Sequence, residues 1–453
     1  MSWLDLCELA RMAGGRLHGI GEDEAARLAV QRVVRDSRQV AAGDLFLALR
    51  GERFDGHDFV AGVAGTVSAA MVERVLPLTL PQVVVDDVRL AMGRLAGAWR
   101  QRYTGPVVAL TGSSGKTTLK EMMAAILSVQ GPTHATRGNL NNDLGVPLTL
   151  FELRPEQAFA VIEMGANHFG EIDYLTRMVC PDVAVLNNAG AAHLEGFGDL
   201  AGVARAKGEI FNGLGPDGVA VINADDAYAD YWRGLNAGRR VISFGMREPA
   251  DVQGHLTPEN TLNIRFAGQE VVVRPPLLGQ HNALNAVAAT AAVMALGVDL
   301  ARVPQGLETL HPVKGRLCPL AGREGATIID DTYNANPSST MAALRALAAL
   351  QGRRVFVLGD MGELGDNGAA LHAEVGRGAR ALGIEAFFGV GVLSQAACRA
   401  FGAQAVFCPD METLLATLVG QRFSAGTSVL VKGSRAARME RVVRALTEEV
   451  PAC

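Results

Sequence analysis

A glycine-containing loop near residue 115 carries the clearest chemical signal in the sequence. Residues 111–118 read Thr-Gly-Ser-Ser-Gly-Lys-Thr-Thr, after an apolar run at 107–110 and before a stretch of helical spacing. Glycines let backbone N–H groups approach phosphate oxygens, and the N-terminus of the following helix adds a positive dipole end. Lys116 would reach the outer phosphates of a nucleotide, and Thr117 would ligate Mg²⁺. The predicted phosphate-binding residues are Gly112, Ser113, Ser114, Gly115, Lys116, Thr117 and Thr118.

The loop departs from the general phosphate-binding pattern at one position, because Leu110 stands where that pattern has glycine. Such a loop alone leaves the reaction open, since switch GTPases, kinases, ATPases and ligases all contain one. A guanine-specific switch usually also carries an Asn-Lys-x-Asp signature, and none of the lysines in the sequence follows an asparagine. The sequence therefore disfavours a GTP switch.

Lysine is rare in this chain. Of 42 basic residues, 37 are arginine and five are lysine, at positions 116, 120, 207, 314 and 432. A position that keeps lysine is a candidate for chemistry that needs a compact charge or a nucleophilic amine, neither of which a planar guanidinium provides. Lys120, on the outer part of the helix that follows the loop, has no role that the sequence identifies.

Three further residues form a candidate metal site. Glu163 ends the apolar run 159–162, His193 follows the predicted strand 183–186, and Lys207 comes 14 residues later on a helical pattern. Loops at the carboxyl ends of parallel strands gather ligands, and Mg²⁺ bound to phosphates needs few protein ligands. Each residue taken alone also fits an ordinary role, as a capping acid, a hydrogen-bonded histidine or a solvated lysine.

Clusters of amides suggest contacts with a polar ligand. Asn139, Asn141 and Asn142 place three amides within four positions, although a plain Asx-turn loop has the same composition. Asn282 opens the alanine-rich helical segment 283–298, where a helix cap is the alternative role. In the last third of the chain, residues 330–337 and 431–435 follow predicted strands, at the edge where ligands are expected.

The arrangement of predicted elements indicates an α/β protein with three domains. Residues 1–82 form a small mixed α/β unit, and residues 83–312 alternate buried strands with helices, as in a parallel sheet covered on both faces. Residues 313–453 restart the alternation as a Rossmann-like unit. A chain of 453 residues is long enough for about three domains.

Composition narrows the class of protein. The net charge of −5 disfavours nucleic-acid binding, which needs clustered cations. The N-terminus has early acidic residues and no basic region, so no signal peptide is predicted, and no apolar run is long enough to span a membrane. The six cysteines are scattered without a Cys-x-x-Cys pair. These features predict a cytoplasmic protein with free thiols.

The loop and the candidate metal residues together resemble the Mur ligases of peptidoglycan synthesis. Residues 111–118 match the shortened loop of that family, which accounts for Leu110, and Glu163, His193 and Lys207 match its acidic, histidine and lysine positions. The resemblance covers essentially the whole chain in order.

Other strings narrow the resemblance within the family. Residues 36–38, 43–46 and 55–57 are similar to members that act on longer UDP-muramoyl peptides. Residues 330–338 and 432–435 resemble the members that add D-alanyl-D-alanine. The relatives that add diaminopimelate or lysine typically carry an Asp-Asn-Pro-Arg string, which this sequence lacks.

The resemblance implies a reaction and a role for each residue. ATP, with Mg²⁺, would activate the terminal carboxylate of UDP-N-acetylmuramoyl-tripeptide as an acyl phosphate, which the amine of D-alanyl-D-alanine would attack. The implied catalytic residues are Lys116, Glu163, His193 and Lys207. The implied metal ligands are Thr117, Glu163, His193 and a carbamylated Lys207. ATP would also contact Asn282, Arg316 and Asp331. The implied substrate-binding residues are Ser37, Arg38, Asn139, Asn141, Asn142, Asn334, Asn336, Lys432 and Arg435.

Domain roles and alternatives complete the expectation. The N-terminal domain would hold the UDP-sugar, the central domain ATP, and the C-terminal domain the incoming dipeptide, in a monomer without a nucleic-acid partner. Three other functions stay open: another Mur-type or folylpolyglutamate synthetase-like ligase, a kinase, and a non-catalytic nucleotide switch.

Overall fold

A computed structural model describes residues 4–192, 194–274 and 277–447. These residues form an α/β structure in which three large sheets follow one another along the chain. The five cysteines within the described residues are free thiols, as the sequence predicts. In the part of the chain that the structure describes, no helix is both long and apolar enough to cross a membrane.

The N-terminal part of the chain forms a five-stranded sheet and a separate two-stranded sheet. In spatial order the strands of the larger sheet are Arg16–His18, Gln82–Val84, Ala69–Val72, Asp44–Leu47 and Arg32–Val34. The strand pair is Leu4–Asp5 with Ala29–Val30. The helices are Leu6–Ala13, Glu22–Ala25 and Val60–Val63, with single 3₁₀ turns at Ser37–Gln39 and Gly56–Phe59. The strand Gln82–Val84 spans the predicted 82/83 boundary and pairs within this sheet.

The central sheet has nine strands. In spatial order they are Gln269–Val273, Leu262–Phe266, Val252–Leu256, Arg240–Gly245, Val219–Asn223, Val183–Leu186, Val107–Thr111, Phe159–Glu163 and Thr133–Ala135. The helices around it are Val88–Arg100, Lys116–Ser128, Gly145–Phe151, Glu171–Val179, Leu194–Phe197, Leu200–Gly208, Ala229–Leu235, Gln280–Ala295 and Val303–Glu308, with 3₁₀ turns at Glu209–Gly213 and Leu300–Arg302.

The central sheet is parallel except at one edge. Leu262–Phe266 and Gln269–Val273 add to it as an antiparallel hairpin, which the sequence analysis did not predict. Val107–Thr111 is buried along its whole length, because helices cover both faces of a parallel sheet. Its neighbour Phe159–Glu163 pairs with it so that Glu163 lies beside Leu110. This register brings the phosphate-binding loop and the predicted metal ligand to the same edge.

The C-terminal sheet has six strands. In spatial order they are Cys318–Ala321, Thr327–Asp331, Thr427–Lys432, Arg353–Gly359, Ala386–Val390 and Ala405–Cys408, and only Cys318–Ala321 runs antiparallel to its neighbour. The helices are Pro337–Ala348, Gly368–Ala381, Ser394–Phe401, Met411–Gly420 and Glu440–Leu446, with 3₁₀ turns at Gly365–Asn367 and Arg435–Ala437. The register pairs Asp331 with Lys432 at the carboxyl ends of two buried strands.

Candidate active site

The loop after Val107–Thr111 has the backbone geometry of an anion cradle. Gly115 adopts a left-handed conformation with φ of 75°, directly before the helix Lys116–Ser128. A Cβ atom there would lie 2.8 Å from the Asn285 Oδ1 atom, so only glycine fits this turn without strain. Because glycine has no side chain to cap the helix, the amides of the first turn stay available to an anion.

Lys116 lies folded over this loop. Its Nζ atom donates a hydrogen bond to the Gly112 carbonyl oxygen at 2.7 Å. Burial lowers the pKa of the Lys116 ammonium, whereas the nearby Glu163 carboxylate raises it. A partly buried cation bound to a neutral carbonyl gains stabilisation from an incoming anion, so Lys116 is suited to phosphate.

Glu163 is held by three hydrogen bonds. The Thr117 hydroxyl donates to Glu163 Oε2 at 2.8 Å, and the Asn141 amide donates to Oε1 at 2.7 Å. The Glu163 backbone N–H donates to the Thr136 hydroxyl at 2.9 Å. The carboxylate is fully buried and its two oxygens face a hydroxyl and an amide. Hard oxygen donors of this kind fit Mg²⁺.

The donor set suits a cation that also binds phosphate. Among the described residues, no group of three or more His, Cys, Asp or Glu side chains forms a metal site of its own. Mg²⁺ needs only one or two protein carboxylates when substrate phosphates and water supply the remaining ligands. The predicted ligand His193 lies outside the described residues, directly before the helix Leu194–Phe197.

Lys207 is buried close to this edge but does not line the cavity described below. Its Nζ atom lies 3.4 Å from the Ala166 carbonyl oxygen and 5.4 Å from the centre of the Phe197 ring. Burial, together with the charge of Lys116, lowers the pKa of the Lys207 ammonium to about 7. A large fraction of this amine is therefore neutral near neutral pH, which is the form that reacts with electrophiles.

A cavity of about 900 Å³ opens between the central and C-terminal sheets. The predicted site residues that line it come from both sheets: Ser113, Ser114, Gly115, Lys116, Thr117, Thr118, Asn139, Asn141, Asn142, Glu163, Asn282, Arg316, Asp331, Asn334, Asn336 and Lys432. Residues more than 300 positions apart thus share one wall, and the volume suits a nucleotide-sized ligand.

The amides near the cavity have structural partners. Asn141 donates to Glu163, as described above. Asn142 accepts the Gly145 N–H at 2.9 Å through its side chain, beside the start of the helix Gly145–Phe151. Asn282 donates to the Leu278 carbonyl at 2.8 Å. The predicted asparagines therefore hold the cavity wall in shape as well as facing its interior.

The C-terminal wall is organised by a buried ion pair. Lys432 Nζ lies 2.6 Å from Asp331 Oδ2 and donates to the Asn334 carbonyl at 2.9 Å. Burial raises the pKa of the Asp331 carboxyl, and Lys432 opposes that shift. The guanidinium of Arg316 stacks 4.1 Å from the centre of the Tyr333 ring. The pair fixes the loop that follows Asp331, and the ring orients the arginine.

Two predicted substrate residues in that loop also satisfy the local backbone. Asn336 is the N-cap of the helix Pro337–Ala348, where its side chain accepts the Ser339 N–H at 2.8 Å in a capping box. The Asn334 side chain accepts the N–H of Ala335 at 2.9 Å. Both asparagines line the cavity while holding these bonds.

Several predicted residues lie away from the cavity lining. These are Gly112, Ser37, Arg38, Lys207 and Arg435. Arg38 is exposed and pairs with Asp36 at 2.7 Å, which lowers the pKa of the Asp36 carboxyl to about 2. Arg435 begins a 3₁₀ turn shortly after the strand Thr427–Lys432.

The structure brings further residues to the site that the sequence pattern alone does not single out. Asn187 donates through its side chain to Asn285 Oδ1 at 2.9 Å, and Asn188 Oδ1 accepts the Ser114 N–H at 3.0 Å. Asn285 in turn donates to Asn282 Oδ1 at 3.3 Å. Their signal in the sequence is weak: Asn285 is polar in an alanine-rich helix, three residues after Asn282.

Burial lowers the pKa of the His281 imidazole to about 4, and Lys432 contributes to the same shift. The side chain lines the cavity between the helix Gln280–Ala295 and the C-terminal wall. It is therefore a neutral hydrogen-bonding group at physiological pH rather than a cation.

Three family profiles match the chain in succession. They are the Mur ligase family catalytic domain over residues 29–100, the Mur ligase middle domain over 110–293, and the Mur ligase glutamate ligase domain over 315–435. The chain is 46% identical over 436 residues to the UDP-N-acetylmuramoyl-tripeptide–D-alanyl-D-alanine ligase of Escherichia coli K12, covering 94% of this chain and 96% of that protein.

Two solved structures have the same architecture. The first is a crystal structure of MurF from Acinetobacter baumannii, with a TM-score of 0.92 and 41% identity, covering 98% of this chain and 99% of that one. The second is MurF from Thermotoga maritima in complex with ADP, with a TM-score of 0.81 and 30% identity, covering 91% and 96%. The similarity therefore extends through all three sheets.

Proposed function

The chain belongs to the Mur ligase family, and we propose that it is the ATP-dependent ligase that joins D-alanyl-D-alanine to UDP-N-acetylmuramoyl-tripeptide. The main support for this proposal is the cavity in which the phosphate-binding loop and Glu163 face the C-terminal ion pair of Asp331 and Lys432. The whole-length similarity to ligases with that activity supports the same substrates.

ATP would bind across this cavity. The backbone amides at the start of the helix Lys116–Ser128 and the Lys116 ammonium would bind the phosphates, and the Thermotoga relative was solved with ADP. We assign Asn282 to the adenine, Asp331 to the ribose and Arg316 to the γ-phosphate, on the family resemblance and on their position in the cavity wall.

Thr117 and Glu163 would hold Mg²⁺, with His193 as a further ligand. The ion would supply positive charge that reduces the repulsion between a substrate carboxylate and the γ-phosphate. The buried Thr117–Glu163 contact, with Asn141 on the other carboxylate oxygen, holds these donors in a fixed orientation before substrates arrive.

The reaction has two chemical steps. First, an oxygen of the tripeptide's terminal carboxylate attacks the γ-phosphorus. The bond between the γ-phosphorus and the oxygen that bridges to the β-phosphate breaks, ADP departs, and an acyl phosphate is formed. Second, the amine of D-alanyl-D-alanine attacks the acyl carbon. The tetrahedral intermediate loses a proton and expels inorganic phosphate to form the amide. Lys116 and Arg316 would bind the transferring phosphoryl group.

Lys207 would act as a carbamate. Its neutral amine, favoured by the lowered pKa, would form an N–C bond to CO₂ and release one proton to solvent, so a neutral amine becomes a carbamate anion. The anion would face the charge of Lys116 and would help to orient the metal ligands. Intact-mass or structural analysis that shows unmodified Lys207 in the active, substrate-bound enzyme would contradict this assignment.

The remaining assignments follow the family resemblance. Residues 1–82 would hold the UDP-sugar through Ser37 and Arg38, and residues 83–312 would bind ATP. Residues 313–453 would bind the dipeptide. Asn139, Asn141 and Asn142 would face the muramoyl peptide; Asn334, Asn336, Lys432 and Arg435 would face the dipeptide. The protein would act in the cytoplasm as a monomer.

ADP release tests the proposal directly. The purified chain is assayed with ATP and Mg²⁺, with UDP-muramoyl tripeptides that end in diaminopimelate or in lysine, and with or without D-alanyl-D-alanine. We expect ADP and phosphate only when both substrates are present, together with the pentapeptide product by mass. Equal phosphate release with neither substrate, or glutamate addition to a folate, would contradict the proposal.

A further inference from the structure

Lys120 is an almost fully enclosed cation on the helix that follows the catalytic loop. The residue is 1% exposed on the helix Lys116–Ser128, and its charge is therefore almost fully removed from water. Burying a lysine costs free energy unless its ammonium finds partners, so a chain that otherwise uses arginine retains it here for a specific contact.

The ammonium of Lys120 has two partners. Its Nζ atom donates to the Thr136 carbonyl oxygen at 2.6 Å and lies 2.7 Å from Glu121 Oε1. The Glu121 side chain is more than a third exposed, whereas Thr136 is buried. The carbonyl contact is thus shielded from solvent, and the carboxylate contact is partly screened.

These contacts close a ring around Glu163. The Thr136 hydroxyl accepts the N–H of Glu163 at 2.9 Å, and the Thr117 hydroxyl donates to the Glu163 carboxylate at 2.8 Å. Thr117 and Lys120 are three residues apart on one helix, so they lie on the same face of it. The helix therefore holds Glu163 twice, through its carboxylate and, by way of Thr136, through its backbone.

We propose that Lys120 is a positioning residue for Glu163, acting through Thr136, in the ligase reaction proposed above. The ammonium fixes the Thr136 carbonyl, this fixes the Thr136 hydroxyl, and the hydroxyl holds the strand end that carries Glu163. Lys120 itself does not line the cavity. Its effect on catalysis is therefore indirect and passes through the orientation of the Glu163 carboxylate.

The test compares variants that break the ring with variants that leave it closed. Lys120→Met removes the ammonium but keeps the aliphatic stem, and Thr136→Val removes the hydroxyl but keeps the shape. Thr136→Ser restores a hydroxyl at the same position. Glu121→Gln is the matched control, because it weakens the exposed ion pair and leaves the Thr136 contact intact.

The expected result is a specific loss of turnover. Lys120→Met and Thr136→Val each lower kcat about ten- to a hundredfold, the range typical when a partner of a metal ligand is removed. KM for the two substrates stays near the wild-type value, and a higher Mg²⁺ concentration is needed for half-maximal activity. Thr136→Ser and Glu121→Gln keep kcat within about threefold of wild type.

A structural readout accompanies the kinetics. Hydrogen exchange of peptides that span the strand Phe159–Glu163 speeds up at the Glu163 amide in Lys120→Met and Thr136→Val, and not in Glu121→Gln. Should Lys120→Met fold poorly, Thr136→Val against Thr136→Ser carries the test alone. Wild-type kcat in folded Lys120→Met, or an equal loss in Glu121→Gln, would overturn the proposal.

The exchange measurement also separates this inference from the proposed function. If wild type shows no ligase activity with the named substrates, the function is wrong, while faster exchange at Glu163 in the ring-breaking variants still supports the positioning role. If wild type is an active ligase and those variants match it in both kcat and exchange, the positioning role is wrong and the function stands.

Discussion

The central and C-terminal sheets each present a lysine to the same cavity, and the two lysines have opposite surroundings. Lys116 donates to a backbone carbonyl of its own loop, at Gly112. Lys432 is paired with the buried carboxylate of Asp331 and also donates to the Asn334 carbonyl. The first cation is available to a phosphate, whereas the charge of the second is already matched within the protein.

The difference indicates that the edge of the central sheet takes part in the chemistry, whereas the edge of the C-terminal sheet holds the cavity wall in place. At the central sheet, the Lys116 ammonium has no bound anion before the nucleotide binds, so binding of the phosphates adds electrostatic stabilisation there. At the C-terminal sheet, the ion pair is complete beforehand and holds the loop that carries Tyr333, on whose ring Arg316 stacks. Substitutions at the two edges should therefore differ in whether they affect turnover or folding first.

The largest effect on turnover is expected at Lys116. Lys116→Met should lower kcat about a hundred- to a thousandfold, because it removes the positive charge that stabilises negative charge developing on the phosphoryl oxygens. Lys116→Arg should be similarly impaired, since a planar guanidinium replaces the compact ammonium that donates to the Gly112 carbonyl. The thermal unfolding temperature should stay near the wild-type value, because no carboxylate among the described residues forms an ion pair with the Lys116 ammonium. Coupled ADP release and calorimetry measure both quantities.

A clear contradiction would come from Lys116→Met if it kept more than about a tenth of wild-type kcat, which is outside the range for a phosphate-stabilising group. A large fall in its unfolding temperature would instead erase the contrast with Lys432.

The next effect is expected at Lys207. Lys207→Arg should lower kcat about ten- to a hundredfold, because arginine cannot form a carbamate, and a short carboxylic acid should partly restore Lys207→Ala. Since the pKa of the Lys207 ammonium is about 7, the reactive amine increases as pH rises through 7. At limiting CO₂, activity should rise over the same range. Assays at fixed CO₂ across pH 6–8 measure this.

Lys207 also gives a stability signature with a defined sign. The pKa of its ammonium is about 7 when folded and 10.5 ordinarily, so between these values the unfolded chain binds a proton that the folded, unmodified chain does not. The free energy of unfolding should therefore rise with pH from about 7 to 10.5. Lys207→Met should lack this contribution, and the same slope in both proteins would argue against the shifted pKa.

A smaller effect on turnover and a larger one on folding are expected at the C-terminal pair. Lys432→Met or Asp331→Asn alone leaves a buried group without its partner, and each should destabilise the protein by about 3–5 kcal/mol. The double variant should recover part of that loss, since neither charge is left uncompensated. Unfolding monitored by calorimetry measures the coupling; additive losses would show that the pair is not a unit.

The smallest effect is expected at the exposed Arg38. Arg38→Ala should leave kcat unchanged and raise KM for the UDP-muramoyl tripeptide a few-fold, because the side chain lies outside the cavity lining and pairs with Asp36 at the surface. Steady-state kinetics with varied tripeptide measure this. An unchanged KM would remove Arg38 from the substrate site.

Local motifs made the central edge predictable. Residues 111–118 specify their own strand–loop–helix geometry, and the structure shows the strand Val107–Thr111 and the helix Lys116–Ser128 where the sequence places them. The buried run at 183–186 likewise became a strand. The antiparallel hairpin at Leu262–Phe266 and Gln269–Val273 was missed, because its strands are partly exposed and mix polar with apolar residues instead of forming an uninterrupted apolar run.

Contacts between distant segments were not predictable in the same way. Nothing near Lys120 in the sequence indicates that its ammonium meets Thr136, and nothing near Asn285 indicates that it meets Asn187. The partners lie on different elements, and helix packing against the sheet sets their distance. The sequence shows what kind of residue stands at each of these positions, but it does not show which residue each one contacts.

The sequence by itself determined the phosphate-binding loop, the alternation of strands and helices, and the candidate carboxylate at Glu163, because each depends on residues close together in the chain. Only the tertiary structure decided which side-chain donor meets which carboxylate. Thr117 reaches Glu163 across 46 positions, and Lys432 reaches Asp331 across 101. Parallel pairing aligns the carboxyl ends of distant strands, and the order of strands in the sheet, not their order in the chain, sets those neighbours.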